Sequence, residues 1–187
     1  FNELISLTKT KILFCFSSRE SSFYILKKMI PLKRKIFCEK PAVFCLEDAK
    51  KLNRLSIQNN CSVKIGFMSR YDKGVIFLKN FLNQELIKKD LIKAEFFLSN
   101  KKFYLKKYNF IKTNEDQDFN FAKARYPKFI KKRDYINYHI FLNRYSHVIN
   151  LINFFFSNVR PINFNIIDKF NYFAELSSNN IPITFKC

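Results

Sequence analysis

Glycine is nearly absent from this chain. Its 187 residues include 2 glycines, Gly66 and Gly74, and no tryptophan. The G-x-G-x-x-G turn, which lets a strand-helix connection approach the pyrophosphate of a dinucleotide, needs several closely spaced glycines. That turn is therefore excluded from this sequence.

Histidine is also scarce, with 2 residues, and the 5 cysteines form no C-x-x-C pair. A zinc site needs clustered thiolate or imidazole ligands, so we expect no metal site. Cys15 and Cys38 lie in apolar runs, where cysteine acts as a small hydrophobic residue. Such usage is typical of a reducing compartment and predicts a cytoplasmic protein.

Long apolar runs and a leader sequence are missing as well. No uncharged apolar stretch reaches the roughly 18 residues that a membrane-spanning helix needs, so we expect no membrane partner. The first residues, Phe1 to Glu3, show no basic segment with a cleavage site and no initiator methionine. We therefore expect a chain that begins inside a longer protein.

Acidic residues are few, and the chain is strongly basic. It has 34 Lys and Arg against 15 Asp and Glu, a net charge of +19. The basic residues are spread along the chain, and Phe, Asn, Ile, Lys and Tyr are all frequent, as in a coding bias. We expect no nucleic-acid partner. The alternative is a polyanion-binding protein that uses the basic runs at residues 101–102, 106–107 and 131–133.

The first third of the chain alternates between strand and helix patterns. Short apolar runs at residues 11–16, 35–38 and 62–66 predict buried strands. Between them, residues 22–32 and 46–59 have helical spacing, and in the second helix one face carries Leu46, Ala49, Leu52 and Leu55. Strand-helix-strand units of this kind predict a parallel sheet.

The rest of the chain predicts a different domain. Residues 72–83 have helical spacing, residues 91–98 read as a strand, and residues 100–132 form a long charged excursion. A long helix follows at residues 133–156, with a break near Tyr138 as one alternative. Strands are predicted at residues 162–170, 172–177 and 181–186, the last two joined by a turn at Asn179 and Asn180.

One motif stands at the end of the second predicted strand. Residues 35–43 read KIFCEKPAV, so Glu39, Lys40 and Pro41 end an apolar strand ahead of a helix. Ligands of open α/β sheets bind beyond the carboxyl ends of the strands. Lys40 is therefore a candidate for chemistry, and the alternative is a solvated Glu–Lys pair in a turn.

Two further motifs follow in order. Residues 66–72 read GFMSRYD, and residues 141–151 read FLNRYSHVINL. With E-K-P, they resemble the Gfo/Idh/MocA family of nicotinamide-dependent oxidoreductases over nearly the whole chain. The resemblance implies the C-terminal half of a Rossmann-like parallel sheet at residues 1–69. It also implies an open, mostly antiparallel sheet with helices on one face at residues 70–187, and thus a fragment.

The resemblance implies two catalytic side chains. Lys40 would lie beside the nicotinamide and stabilise negative charge on the substrate oxygen. Glu39 and Pro41 would shape the turn, often with a cis peptide at the proline. His147 would be the general base, and a helix places it on one face with Asn143 and Asn150.

Other assignments depart from the family pattern. Many members carry acidic residues at the positions of Asn143 and Asn150. We expect Asn143 to orient the imidazole and Asn150 to bind substrate. Ser17 and Ser18 stand where the family has Thr-Pro near the nicotinamide ribose. Arg70 would bind substrate or cofactor, or pair with Asp72.

The resemblance therefore implies an oxidoreductase fragment. It would use NAD or NADP to oxidise a sugar, sugar-nucleotide or polyol hydroxyl and form homo-oligomers through the C-terminal sheet. Without the glycine-rich turn, the fragment should bind dinucleotide poorly by itself. The alternatives are a non-catalytic remnant of the fold and a basic nucleic-acid-binding protein.

Overall fold

The computed structural model describes residues 10–83, 93–97, 124–167 and 171–186. The chain divides into two compact units, residues 1–67 with 119–142 and residues 68–118 with 143–187. The boundary between residues 67 and 68 lies close to the predicted domain boundary after residue 69. Residues 119–142, which were predicted to lie in the second domain, belong to the first unit. Most of the predicted excursion, up to residue 123, lies outside the described residues.

The first unit is built on a parallel three-stranded sheet. Its strands are β1 (Ile12–Cys15), β2 (Lys35–Cys38) and β3 (Val63–Ile65), in the order β1-β2-β3. Helix α1 (Arg19–Met29) joins β1 to β2, and α2 (Leu46–Gln58) joins β2 to β3. The predicted parallel sheet is therefore confirmed.

The two helices cover one face of this sheet. Alternation along β1 and β2 sends Cys15, Ile36 and Cys38 toward the helices, where they pack with Leu26 and other α1 residues. The opposite face carries apolar side chains that the described residues leave open to solvent, since Ile12 is 50% and Phe14 is 61% exposed.

Helix α2 corrects one detail of the sequence pattern. Leu46 was predicted to face the core, but it is exposed at the first residue of the helix. Asp48 is buried instead, because its carboxylate forms an ion pair with Arg125 at 2.9 Å. The first buried side chain of this helix is therefore a charged one, Asp48, which pairs with a residue distant in sequence.

The second unit contains a mixed sheet. Strands β4 (Ala94–Phe97), β5 (Arg160–Ile166), β6 (Tyr172–Ser178) and β7 (Ile181–Lys186) lie in the order β4-β7-β6-β5. The β4–β7 pair is parallel, and the other two pairs are antiparallel. Asn179 and Asn180, both with positive φ, form the tight β6–β7 turn that the sequence predicted.

Two helices belong wholly or partly to this unit, α3 (Lys73–Leu82) and, from residue 143 onward, α4 (Tyr135–Phe155). Helix α4 is continuous, so the alternative of a break near Tyr138 is wrong. From residue 143 onward, Tyr145, Val148 and Ile152 are buried at spacings of three and four, as a one-sided helix requires. The Tyr145 ring contacts Tyr172 of β6 edge-on, with 4.7 Å between centroids.

Candidate functional site

Strand register brings the candidate residues of the first unit to one edge. Cys15 pairs with Cys38, and Cys38 pairs with Ile65, so the three strands end level with one another. The residues that follow these strands therefore leave the sheet at its carboxyl edge. This edge is where open parallel sheets bind ligands.

Lys40 follows the central strand and is 8% exposed. Lysine is rarely buried to this degree, because its ammonium group loses hydration. The bond between Lys40 and Pro41 is cis, as the resemblance implied. The alternative of a solvated turn lysine does not fit this burial, whereas neighbouring Glu39 is exposed.

Gly66 lets the side chain of Glu39 approach the end of β3. A Cβ atom at Gly66 would meet Glu39 Oε2 at 2.9 Å and the Phe37 ring at 3.1 Å. The Gly66 amide donates to the Cys38 carbonyl at 2.8 Å. Because glycine has no Cβ atom, the ends of β2 and β3 can pack closely at this position.

Ser17 and Ser18 lie at the start of α1. Ser17 Oγ is 3.3 Å from Ser22 Oγ, and Ser18 donates to Ser21 Oγ at 2.9 Å. Ser18 is the N-cap residue of the helix, although its side chain makes no capping bond. Both hydroxyls thus take part in local hydrogen bonds at the strand edge.

Two buried thiols lie directly beneath this edge. Cys38 Sγ donates a hydrogen bond to the Glu39 carbonyl at 3.3 Å, and the neighbouring Cys15 thiol together with burial raises the pKa of Cys38. The interaction with the Cys38 thiol lowers the pKa of Cys15 to about 6. Both cysteines are free and belong to the core between sheet and helices.

His139 takes a structural position in the first unit. Its Nε2 lies 3.3 Å from Glu20 Oε1, and both side chains are buried. The Phe44 ring lies against the imidazole, with 4.5 Å between centroids. Burial lowers the pKa of His139, against a smaller opposing effect of Glu20.

In the second unit, helical spacing places three predicted residues together. Asn143, His147 and Asn150 are half-buried along α4, and Nδ1 of His147 is fully covered. They share a face that lies beside the buried face of the helix. A neutral imidazole at such a position can accept a proton from a hydroxyl.

Arg70 joins this polar face through a hydrogen bond that links distant parts of the chain. Its Nε donates to Asn150 Oδ1 at 2.5 Å, and its guanidinium lies 5.2 Å from the Phe154 ring centre. Phe154 was missed by the sequence analysis. It continues the spacing of Asn143, His147 and Asn150 by one helical turn, so the same pattern could have identified it.

Asp72 has a different role from the ion pair with Arg70 that was one alternative. Its Oδ1 accepts hydrogen bonds from the amides of Gly74 and Val75 at 2.9 and 3.2 Å. These bonds cap the N-terminus of α3. Arg70 is therefore held by Asn150 and Phe154.

A cavity of about 470 Å³ also lies in the second unit. It adjoins the C-terminal end of α4, where Lys79 Nζ donates to the Phe155 carbonyl at 3.3 Å. None of the predicted site residues lines this cavity. In the described ranges, histidine, cysteine and acidic side chains form no group of three or more that could hold a metal ion.

Each unit thus gathers its own predicted residues. Ser17, Ser18, Glu39, Lys40 and Pro41 lie at the ends of strands in the first unit, and Arg70, Asn143, His147 and Asn150 belong to the second. No helix of the described ranges has both the length and the apolar character that a membrane crossing needs.

Comparison with protein-family models gives no match. The chain is 29% identical over 84 residues to the inositol 2-dehydrogenase of Salmonella typhimurium, an alignment that covers 44% of this chain and 25% of the relative.

Solved dehydrogenase structures match nearly the whole chain. The myo-inositol dehydrogenase of Lactobacillus casei, in complex with NAD(H) and myo-inositol, superposes with a TM-score of 0.65 at 17% identity. That match covers 98% of this chain and 50% of the other. The WlbA dehydrogenase of Thermus thermophilus, in complex with NAD and α-ketoglutarate, gives 0.62 at 15% identity, covering 98% and 52%.

The chain therefore spans about half the length of these solved relatives. Its parallel sheet followed by a mixed sheet is the fold expected from the sequence motifs, and these comparisons confirm it. The chain is thus similar in sequence to inositol 2-dehydrogenases over 84 residues, and it has the fold of about half of these solved dehydrogenases.

Proposed function

We propose that this chain is part of an NAD(P)-dependent oxidoreductase that acts on a sugar, sugar-nucleotide or polyol hydroxyl. The main support is the position of Lys40, which is 8% exposed and follows the carboxyl end of the central parallel strand. An ammonium group at a ligand-binding edge is suited to stabilise charge on a reacting oxygen. The dehydrogenases matched by sequence and fold support this assignment.

The proposed reaction divides between two side chains. A bound nicotinamide would supply the acceptor for the hydride of the carbon that carries the hydroxyl. His147, as the neutral imidazole, accepts the hydroxyl proton, so that the alcohol becomes a carbonyl. Lys40 donates a hydrogen bond to the oxygen on which charge develops.

The remaining candidate residues are proposed to orient the catalytic histidine or to bind substrate and cofactor. We propose that Asn143 orients His147, and that Arg70 and Asn150 bind substrate as a hydrogen-bonded pair. Ser17, Ser18, Glu39 and Pro41 are proposed to contact the cofactor at the strand edge. Residues 1–69 would then form the dinucleotide-binding part, and residues 70–187 the substrate part.

We further propose that copies of this chain assemble through the second sheet. Strand β5 carries Ile162, Phe164 and Ile166, which are 67%, 46% and 68% exposed. Apolar side chains in such a row commonly mark an interface. Sedimentation of the chain and of an Ile162→Lys, Ile166→Lys variant tests this, because an assembly through β5 should dissociate in the variant.

A cytoplasmic location is proposed from thiol chemistry. Cys15, Cys38, Cys45 and Cys61 are free and buried. Buried free thiols are stable where the surroundings are reducing.

The activity test uses NAD⁺ or NADP⁺ with myo-inositol or a nucleotide sugar, and NADH absorbance as readout. It compares the chain with a chimera that adds, before β1, the part of the Salmonella relative that precedes the segment matching this chain. We expect turnover in the chimera and a loss of about 10²-fold or more on Lys40→Met or His147→Ala. Lys64→Met, at an exposed lysine on β3, is the matched control.

Turnover unchanged by Lys40→Met would remove the proposed role of this lysine. A folded chimera without turnover on any of these substrates would favour the alternative of a non-catalytic remnant.

A further inference from the structure

A second concave surface lies on the helical side of the first unit, between α1 and α2. It has a volume of about 410 Å³, within the usual range for small-molecule sites of roughly 300–1,000 Å³. We call it the basic groove. Six of its lining residues carry the argument, namely Phe23, Tyr24, Lys27, Lys51, Arg54 and Arg125.

Four of the residues that line the basic groove are cationic, and none is acidic. Lys51 and Arg54, three residues apart on α2, share one face of that helix. Lys27 faces them from α1. Within the described ranges, no carboxylate lies at ion-pair distance from these three side chains. Like charges at such spacing destabilise a helix slightly, so stability of the fold does not explain the arrangement.

Arg125 is fixed in position by two contacts. Its Nη1 lies 2.9 Å from Asp48 Oδ1, and the Asp48 side chain is 2% exposed. Its guanidinium lies 5.7 Å from the centre of the Phe23 ring. The buried carboxylate offsets one positive charge, so three net charges remain in the groove, with one guanidinium already oriented.

Two aromatic rings accompany the cations. Phe23 and Tyr24 meet edge to face with 5.3 Å between centroids, and Tyr24 is 47% exposed. Basic side chains beside an accessible aromatic ring are what binding of a phosphate and a base requires, since the base stacks while the cations neutralise the phosphates.

We propose that the basic groove binds the phosphates and base of a nucleotide. This site is distinct from the strand edge that carries Lys40. Each helix of a parallel sheet runs back toward the amino ends of the strands, so Lys27 and Arg54, in the later halves of α1 and α2, lie away from that edge. The negative helix C-termini, about half a charge each, do not outweigh the three net cations.

The experiment measures binding of a fluorescent ATP analogue to the full 187-residue chain, with displacement by tripolyphosphate and by a short single-stranded DNA. The test variant is Lys51→Glu with Arg54→Glu. The control is Lys11→Glu with Lys64→Glu, which makes the same change in net charge at exposed positions outside the groove. Circular dichroism confirms that each variant is folded.

We expect saturable binding that weakens about tenfold or more in the groove variant and less than about threefold in the control. Tyr24→Leu should weaken binding of the analogue and leave tripolyphosphate binding unchanged, since only the base stacks. Displacement by DNA with the same dependence on the groove would identify nucleic acid as the source of the nucleotide. Failure of DNA to compete would identify a free nucleotide.

Three results would overturn the proposal: no saturable binding, equal weakening by the groove and control variants, or loss of binding in Lys40→Met. The last result would place the nucleotide at the strand edge. The proposed dehydrogenase activity does not depend on the outcome, because neither Lys51 nor Arg54 takes part in it.

Discussion

The two units position their candidate residues by different means. In the first unit, Lys40 leaves a strand whose register with β1 and β3 is set by backbone pairing. In the second, His147 projects from a helix, and Arg70 reaches the same helix through Asn150. Backbone geometry therefore positions the first set, and side-chain contacts position much of the second.

This difference implies different sensitivity to substitution. A strand-end residue moves only when the sheet core beneath it is disturbed, and that core is shared by the whole unit. The Arg70–Asn150 contact can be removed without unfolding its helix. Substitutions in the two units should therefore separate global from local effects.

The largest effect is expected in the core beneath the strand edge. Leu26 is fully buried between α1 and the sheet. Leu26→Ala should lower the free energy of unfolding by about 2–5 kcal/mol, because it removes buried methyl groups and leaves a cavity. Urea denaturation measures the change. Ile57→Ala, at a residue 71% exposed, should change it by less than about 0.5 kcal/mol.

A smaller effect is expected where two strand ends meet. Gly66→Ala should cost about 1–3 kcal/mol, because the new Cβ would contact Glu39 Oε2 at 2.9 Å and the Phe37 ring at 3.1 Å. Glu39→Ala in the Gly66→Ala background should recover part of that loss in the same urea assay. Full stability of the single Gly66→Ala variant would show that the strand ends are not closely packed.

The contact in the second unit should contribute less. A double-mutant cycle with Arg70→Ala and Asn150→Ala measures the coupling of the hydrogen-bonded pair. We expect about 0.5–1.5 kcal/mol, typical of one partly buried hydrogen bond. A coupling near zero would mean that the two residues act independently.

The smallest expected effect is a pH dependence of the free energy of unfolding, which should come from His139 and not from His147 of the same helix. Burial lowers the pKa of His139 in the folded chain, so the unfolded chain binds a proton more readily. Stability is then fully present above the ordinary histidine pKa of about 6.5 and declines as pH falls below it.

His139→Gln should reduce this decline, and His147→Gln serves as the matched control for the other histidine. The measurement is the urea midpoint across that pH range. An unchanged decline in His139→Gln would assign the effect to other groups.

Local patterns were sufficient for most of the fold. Alternation and helical spacing predicted the β-α-β-α-β order, and Asn179 and Asn180 predicted a turn that both residues form with positive φ. The comparisons confirm the fold class. These features depend on neighbouring residues, which is why one sequence sufficed.

Contacts between distant residues could not be predicted in this way. Leu46 was assigned to the core because spacing cannot register the ion pair between Asp48 and Arg125. The alternative of a break near Tyr138 did not take into account a contact distant in sequence. The Tyr138 hydroxyl donates a hydrogen bond to the Phe44 carbonyl at 2.7 Å.

The candidate site shows the same limit. The sequence could place Asn143, His147 and Asn150 on one helix, because their spacing is local. For Arg70 the sequence left two alternatives, binding of a ligand or an ion pair with Asp72. In the structure, Arg70 contacts Asn150 and Phe154. The roles of these residues, with those of Lys40 and the two serines, stay predictions.

The central claim is that the strand edge of the first unit meets a nicotinamide cofactor. An NMR titration of the chain with NADH tests it most directly, since even weak binding moves amide resonances. We expect the shifts to centre on Ser17, Ser18, Glu39 and Lys40, and to persist in the Lys51→Glu, Arg54→Glu variant. Shifts that are absent at this edge, or confined to the basic groove, would contradict the claim.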